Sequence, residues 1–227
     1  GCTGFVGPAS KPVPLSAEEV EKMGVEKAAP LSVDFAVGDT VPYLTNRGVK
    51  GYFEALKAPV VVKETEGKKA FHFDGSQLFR SSFSLPATLQ DNAPYTLEAW
   101  VLNDSIAENE CVADFTTSHD ELEKIMLVNG TEPRCGVINH YGWYEDAGYK
   151  GMKELTGRWQ HIYICFDGRM EQVYINGEQV SGKDIQLLVK PSQFVTLGRN
   201  AEGEWPFTGY LHSLKLWDEY IPLQGRK

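Results

Sequence analysis

From Asn139 to Tyr149 the chain reads Asn-His-Tyr-Gly-Trp-Tyr-Glu-Asp-Ala-Gly-Tyr. Aromatic faces stack on the apolar C–H faces of sugars, and Asn, Asp and His supply directional hydrogen bonds, a mixture suited to a binding pocket. The flanking glycines let the backbone bend towards a ligand. Tyr141, Trp143 and Tyr144 are the stacking candidates, with His140 and Asp146 as hydrogen-bonding partners. The competing reading is that Trp143 and Tyr149 plug the end of the domain. A second candidate is Asn200-Ala201-Glu202-Gly203-Glu204-Trp205, followed by Pro206. There Trp205 would stack and Asn200 would hydrogen-bond, or Trp205 packs over the domain edge.

Catalytic chemistry has weaker support. Glycoside hydrolysis needs two carboxylates roughly 5–9.5 Å apart across a sugar. The acids that could pair are Glu108 with Glu110, Asp120-Glu121-Leu122-Glu123, and Glu202 with Glu204. All fall in polar segments that read as loops, where solvated surface acids are the expectation. No Gly-x-Ser-x-Gly elbow occurs, so an α/β-hydrolase nucleophile is not indicated. His161 and Cys165 share one strand face with Tyr163, and packing explains them better than a dyad. No Cys-x-x-Cys pair suggests zinc. Cys165 reads as a small buried hydrophobe. Cys111 and Cys135 form a disulfide or remain free thiols, and the sequence leaves both open.

The elements that must position these groups are strands and tight turns. Asp167-Gly168 and Asn176-Gly177 bracket Glu171–Ile175, and each dipeptide supplies the backbone of a hairpin turn. Lys69 to Asp74 alternates, with Phe71 and Phe73 on one face and Ala70 and His72 on the other. Thr96 to Leu102 sets Leu97, Ala99 and Val101 against Glu98 and Trp100. Val60–Lys63 is a short β-branched run, and Gln193–Arg199 and Tyr210–Trp217 alternate similarly. Trp100, Trp159 and Trp217 fall in these strands and are expected in the core. Many short strands with little helix between them predict an all-β, two-sheet antiparallel β-sandwich. At 227 residues and 42% hydrophobic, one such domain is the natural size. It is expected over residues 31–223, after a leader (1–30) with a short helix near 16–27 and before a tail (224–227).

Five pieces of this chain, in order, resemble a known family. They are Phe71-His72-Phe73-Asp74-Gly75, Tyr95–Val101, Trp159-Gln160-His161 with Phe166-Asp167-Gly168, Val173–Gly177, and Leu197-Gly198-Arg199-Asn200 with Phe207–Leu211 and Leu214–Trp217. Together they are similar to the concanavalin A-like, laminin-G-like jelly-roll domains of bacterial exported proteins. The resemblance implies two sheets packed face to face, with carbohydrate bound on a concave face or at one rim in many relatives. It also allows a calcium ion near Asp74, the only cofactor in view. The closing strand departs from the family: its acidic pair is replaced by Leu211-His212-Ser213, which weakens the calcium case.

The net charge of −9 argues against nucleic acid and anionic membranes as partners. No run of apolar residues approaches the roughly 20 needed to span a bilayer. Gly1-Cys2 resembles what surrounds a lipoprotein cleavage site, so Cys2 is a candidate for lipidation. The combined expectation is a non-catalytic, lectin-like module of a bacterial cell-envelope or secreted protein, exported to the cell surface or periplasm. The alternatives are a structural or adhesive sandwich without a small-molecule ligand and, further back, a glycoside hydrolase.

Overall fold

The computed structural model describes residues 30–33, 40–107, 109–130, 136–141 and 156–223. The expected leader helix, Cys2, Cys135, Trp143, Tyr144, Asp146 and Tyr149 lie outside the described residues. Sixteen strands follow one another among the described residues: β1 (Leu31–Ser32), β2 (Thr40–Val41), β3 (Tyr43–Asn46), β4 (Gly51–Ala55), β5 (Val60–Thr65), β6 (Lys68–Asp74), β7 (Phe79–Ser81) and β8 (Tyr95–Asn103). Then come β9 (Asn109–Asp114), β10 (Met126–Gly130), β11 (Gly136–Ile138), β12 (Gln160–Phe166), β13 (Met170–Ile175), β14 (Glu178–Asp184), β15 (Thr196–Leu197) and β16 (Thr208–Trp217). One-turn 3-10 helices at Ala87–Leu89 and Glu121–Glu123 are the only helical pieces among the described residues.

The strands form two antiparallel sheets. A nine-stranded sheet runs β14-β13-β12-β8-β16-β6-β5-β2, with β1 added beside β16, and a seven-stranded sheet runs β11-β10-β9-β15-β7-β4-β3. The predicted turns hold. Asn176 (φ 51°) and Gly177 (φ 81°) both take positive φ between β13 and β14, the pairing that matches strand twist in a two-residue hairpin. Asp167 Oδ1 accepts the N–H groups of Arg169 and Met170 at 2.8 and 2.7 Å, closing the turn from β12 to β13.

The main core lies between the sheets and contains Phe53, Phe71, Phe73, Phe79, Phe166 and Phe207, with Leu97, Ile162, Ile164 and Leu197. Burying each large apolar side chain contributes on the order of 1.5–3 kcal/mol. The alternation in β6 places Phe71 and Phe73 in this core, while His72 stacks on Tyr210 outside it.

Trp100 and Trp217 are buried, but not between the sheets. In register, Trp100 opposes His161 and Trp217 opposes Thr96, all on the outer face of the nine-stranded sheet. Residues after β16 fold over part of that face: Tyr163 Oη donates to the Ile221 carbonyl at 2.7 Å, and Thr96 Oγ1 donates to the Glu219 carbonyl at 2.7 Å. Trp159 is half-buried and donates to the Thr65 carbonyl. The expectation of core tryptophans holds for Trp100 and Trp217, which are buried under this outer cover, and is corrected for Trp159, which is only half-buried; alternation identifies a face without saying what covers it.

Across the seven-stranded sheet one register row reads Tyr43, Glu54, Arg80, Thr196, Asp114, Met126. It faces outwards. The next row, Ala55, Phe79, Leu197, Ala113, Leu127, faces the core. A bulge then lets Val112 join Ala113 inside, and Cys111 and Val128 face outwards opposite one another. Cys111, Met126, Val128 and Ile138 therefore make a second, smaller apolar cluster on the outside of this sheet. No helix of the described residues is long and apolar enough to cross a membrane.

Candidate functional site

The outer cluster is roofed by Tyr141 and Trp205. The two rings are nearly parallel, 12° apart in plane with centroids 6.4 Å apart. The pair has the geometry of stacked rings. Both residues are half-buried. His119 meets Tyr141 edge-on at 6.4 Å, and its Nε2 lies 2.7 Å from Glu202 Oε1. Those two side chains reach solvent, at 64% and 32% exposure.

Trp205 is held in an unfavourable conformation. Its φ is +57°, in the left-handed region that bulky side chains avoid, and it precedes Pro206, which further restricts its backbone. Such strain persists only where the surroundings over-determine it, and they do. The Trp205 carbonyl accepts the Cys111 N–H at 2.8 Å. Asn200 Oδ1 accepts the N–H groups of Glu202 and Glu204 at 3.1 and 2.8 Å. Arg199 donates to the carbonyls of Gly203 and Gly75 at 3.0 and 2.7 Å, and the Ala201 N–H donates to Asp114 Oδ2 at 2.9 Å.

Asp114 also ties in the loop carrying His119. Its Oδ1 sits 2.7 Å from Lys124 Nζ, with both groups buried, and Lys124 Nζ donates to the Thr116 carbonyl at 2.5 Å. Burial pushes the Asp114 carboxyl up; Lys124 and the Ala201 and Thr116 N–H groups pull it back, and the net displacement is upward. The Lys124 carbonyl in turn lies 2.8 Å from His140 Nδ1. A carbonyl only accepts, so Nδ1 carries a proton. His140 Nε2 is 2.7 Å from Glu171 Oε2, and Glu171 also accepts from Tyr95 Oη and Asn139 Nδ2, each at 2.7 Å. Burial alone would raise the Glu171 carboxyl, but the charge and hydrogen bonds of His140, Tyr95 and Asn139 outweigh it and hold it below the usual range.

Two candidate ligand contacts are corrected. His140 is fully buried and points to Glu171, away from solvent, because Asn139 and His140 continue inward from the short strand β11. Asn200 is 4% exposed and its Oδ1 is spent on the turn beneath Trp205. Neither faces a ligand. Tyr141 and Trp205, from the two separate sequence candidates, lie against each other, and Trp143, Tyr144 and Asp146 lie outside the described residues. His119 has no local sequence signal; only the long-range pairing of its loop with Glu202 marks it. Glu202 reads in sequence as one more solvated acid.

The other candidates resolve as structure. Glu110 is corrected: it is a buried strand residue rather than a loop acid. It accepts from Thr208 N, Thr208 Oγ1 and Ala107 N at 2.7, 2.5 and 2.6 Å. Asp74 accepts from the N–H and hydroxyl of Ser76, and among the described residues no three His, Cys, Asp or Glu side chains gather for a metal. His161 Nε2 faces Glu98 Oε2 at 2.9 Å. The Cys165 thiol faces Gln172, and burial pushes it up to about 12, opposite to what a nucleophile needs. Cys111 is a buried free thiol.

A family model for the concanavalin A-like lectin/glucanases superfamily matches residues 75–222. No curated protein matches the chain. Among solved structures, domain 4 of AbnA, a GH43 extracellular arabinanase from Geobacillus stearothermophilus, in complex with arabinotriose, is similar with a TM-score of 0.55 at 22% identity, over 72% of this chain and 77% of that one. The botulinum neurotoxin serotype G binding domain gives 0.56 at 12% identity, over 86% of this chain and 49% of that one. Trypanosoma rangeli sialidase in complex with sialic acid gives 0.56 at 13% identity, over 90% and 35%. This chain thus spans about half of the neurotoxin domain and about a third of the sialidase. At these identities the likeness is one of fold.

Proposed function

This chain belongs to the concanavalin A-like lectin/glucanases superfamily, and on that premise we propose that it is a non-catalytic module that binds carbohydrate on the Tyr141–Trp205 pair. The observation that carries the reading is the strained Trp205 backbone, φ +57°, fixed so that its ring lies parallel to that of Tyr141. Backbone strain of this kind clusters at functional sites, and here it is retained at a half-buried aromatic. The bound arabinotriose of the similar AbnA domain supports a sugar as the ligand class. The non-catalytic half draws on the buried acids: Glu110, Asp114 and Glu171 are committed to internal hydrogen bonds. The test is a glycan panel with wild type, Tyr141→Ala and Trp205→Ala. Each substitution should weaken the best hit about tenfold or more, the scale of losing one aromatic anchor.

A second reading, a structural module without a small-molecule ligand, draws on the same two rings, since they also cover Cys111, Met126, Val128 and Ile138. It expects the substitutions to lower stability and no glycan to bind.

A further inference from the structure

Among the described residues beside the aromatic pair, acidic groups outnumber basic ones. Glu202 stands three residues before Trp205 and its Oε1 is engaged by His119 at 2.7 Å. Its Oε2 has no hydrogen-bond partner among the described residues, and the side chain is 32% exposed. Asp120 follows His119 in the chain, Glu204 precedes Trp205, and both are exposed. The cations of the described parts of these loops are turned inward. Arg199 is spent on the carbonyls of Gly203 and Gly75, and Lys124 is buried against Asp114. Nearby Lys190 faces Glu123 at 3.5 Å. The whole chain adds a net charge of −9.

Resting on the glycan-binding reading above, we infer that the ligand is an uncharged sugar bearing free hydroxyls, and that Glu202 is the residue that selects it. An ionised carboxylate only accepts hydrogen bonds. A sugar ring lying on Tyr141 and Trp205 presents hydroxyl donors at its rim, and the unspent Oε2 accepts one. His119, bonded to the other oxygen, fixes the carboxylate in that pose. The same carboxylate, with Asp120 and Glu204 within the same loops, repels a sugar carrying its own carboxylate; these acids outnumber Arg199, whose guanidinium is turned to the Gly203 and Gly75 carbonyls. The site therefore discriminates by repulsion as well as by attraction.

The experiment pairs neutral oligosaccharides with acidic ones. Arabinotriose, xylotriose, galactotriose and lactose are titrated calorimetrically beside trigalacturonate and 3′-sialyllactose, at about 20 mM and 500 mM salt. Expected is at least one neutral hit, with its acidic counterpart about tenfold or more weaker at low salt and the gap narrowing at high salt as screening shortens the field. Glu202→Gln should narrow the gap, and Glu202→Ala should weaken the neutral hit about tenfold, the scale of one charge-assisted hydrogen bond. An acidic sugar bound as tightly as its neutral counterpart, or neutral binding untouched by Glu202→Ala, overturns this inference and leaves the glycan-binding reading standing. Silence across both halves of the panel overturns both.

Discussion

His140 and Glu171 share one proton-bearing contact, Nε2 to Oε2 at 2.7 Å, in a fully buried position. Because Nδ1 must donate to the Lys124 carbonyl, the pair as a unit is neutral, whichever partner holds the shared proton. Glu171, lowered by its partners, favours the ion pair. Tyr141 follows His140 directly in the chain, and Lys124 leads on to Asp114 and so to the Trp205 loop. The buried polar chain thus underlies both rings of the proposed site.

Replacing one member of a buried pair leaves the other unmatched, which typically costs about 3–5 kcal/mol. Glu171→Ala and His140→Ala should each destabilise on that scale. The double variant should cost much less than the sum, because the second substitution removes the group the first had stranded. Urea unfolding of the four proteins measures this, and additive costs would show that the two residues are not coupled.

The pair also predicts acid sensitivity with a definite sign. Folding holds Glu171 below its ordinary value of 4.5, so as pH falls the unfolded chain takes up the proton first. The stabilisation is fully present above that ordinary value and is lost as pH falls through the lowered one. Asp114 is displaced upward by burial and titrates in the opposing direction, but it is common to wild type and Glu171→Gln. The stability difference between those two proteins should therefore shrink as pH falls below 4.5. A constant difference across that range would contradict the assignment.

At position 205 strain and ring separate cleanly. Trp205→Ala removes the ring and keeps a Cβ at φ +57°, whereas Trp205→Gly removes both. A left-handed non-glycine residue costs roughly 1–2 kcal/mol, so the Gly variant should be the more stable of the two by about that much. Thermal unfolding at matched protein concentration compares them. Equal stabilities would mean that the backbone relaxes on substitution and that Trp205 itself sets the loop.

Gly209 marks the tightest crossing in the nine-stranded sheet. A Cβ there would lie 2.2 Å from the Leu102 carbonyl oxygen, at φ +150°. Gly209→Ala should destabilise by more than about 3 kcal/mol, since backbone rather than a side chain must move. Gly67→Ala, at φ +78° with nothing within 4 Å, should cost only about 1–2 kcal/mol. Similar losses at both positions would remove the steric explanation.

The fold was legible where local rules and tertiary packing agree. Asn176-Gly177 specifies its turn through backbone φ alone, and the alternation of Phe71 and Phe73 matches a sheet with one dry face. The site was legible only in part. Trp205 stands out by type and by Pro206 after it, but its parallel partner Tyr141 and the His119–Glu202 contact depend on loops brought together from distant sequence. His140 reads as a ligand contact and Glu110 as a solvated loop acid, and Glu171 carries no signal of its own. Their burial depends on partners from other strands (Glu171 for His140, Thr208 for Glu110), and no local pattern announces a satisfied buried charge.

The most direct test of the account is binding of the best neutral oligosaccharide by wild type and by Trp205→Gly, measured calorimetrically on proteins shown to be folded by near-ultraviolet circular dichroism. The account predicts measurable binding by wild type and a loss of about tenfold or more in the folded variant. Equal affinity in the two proteins would contradict it.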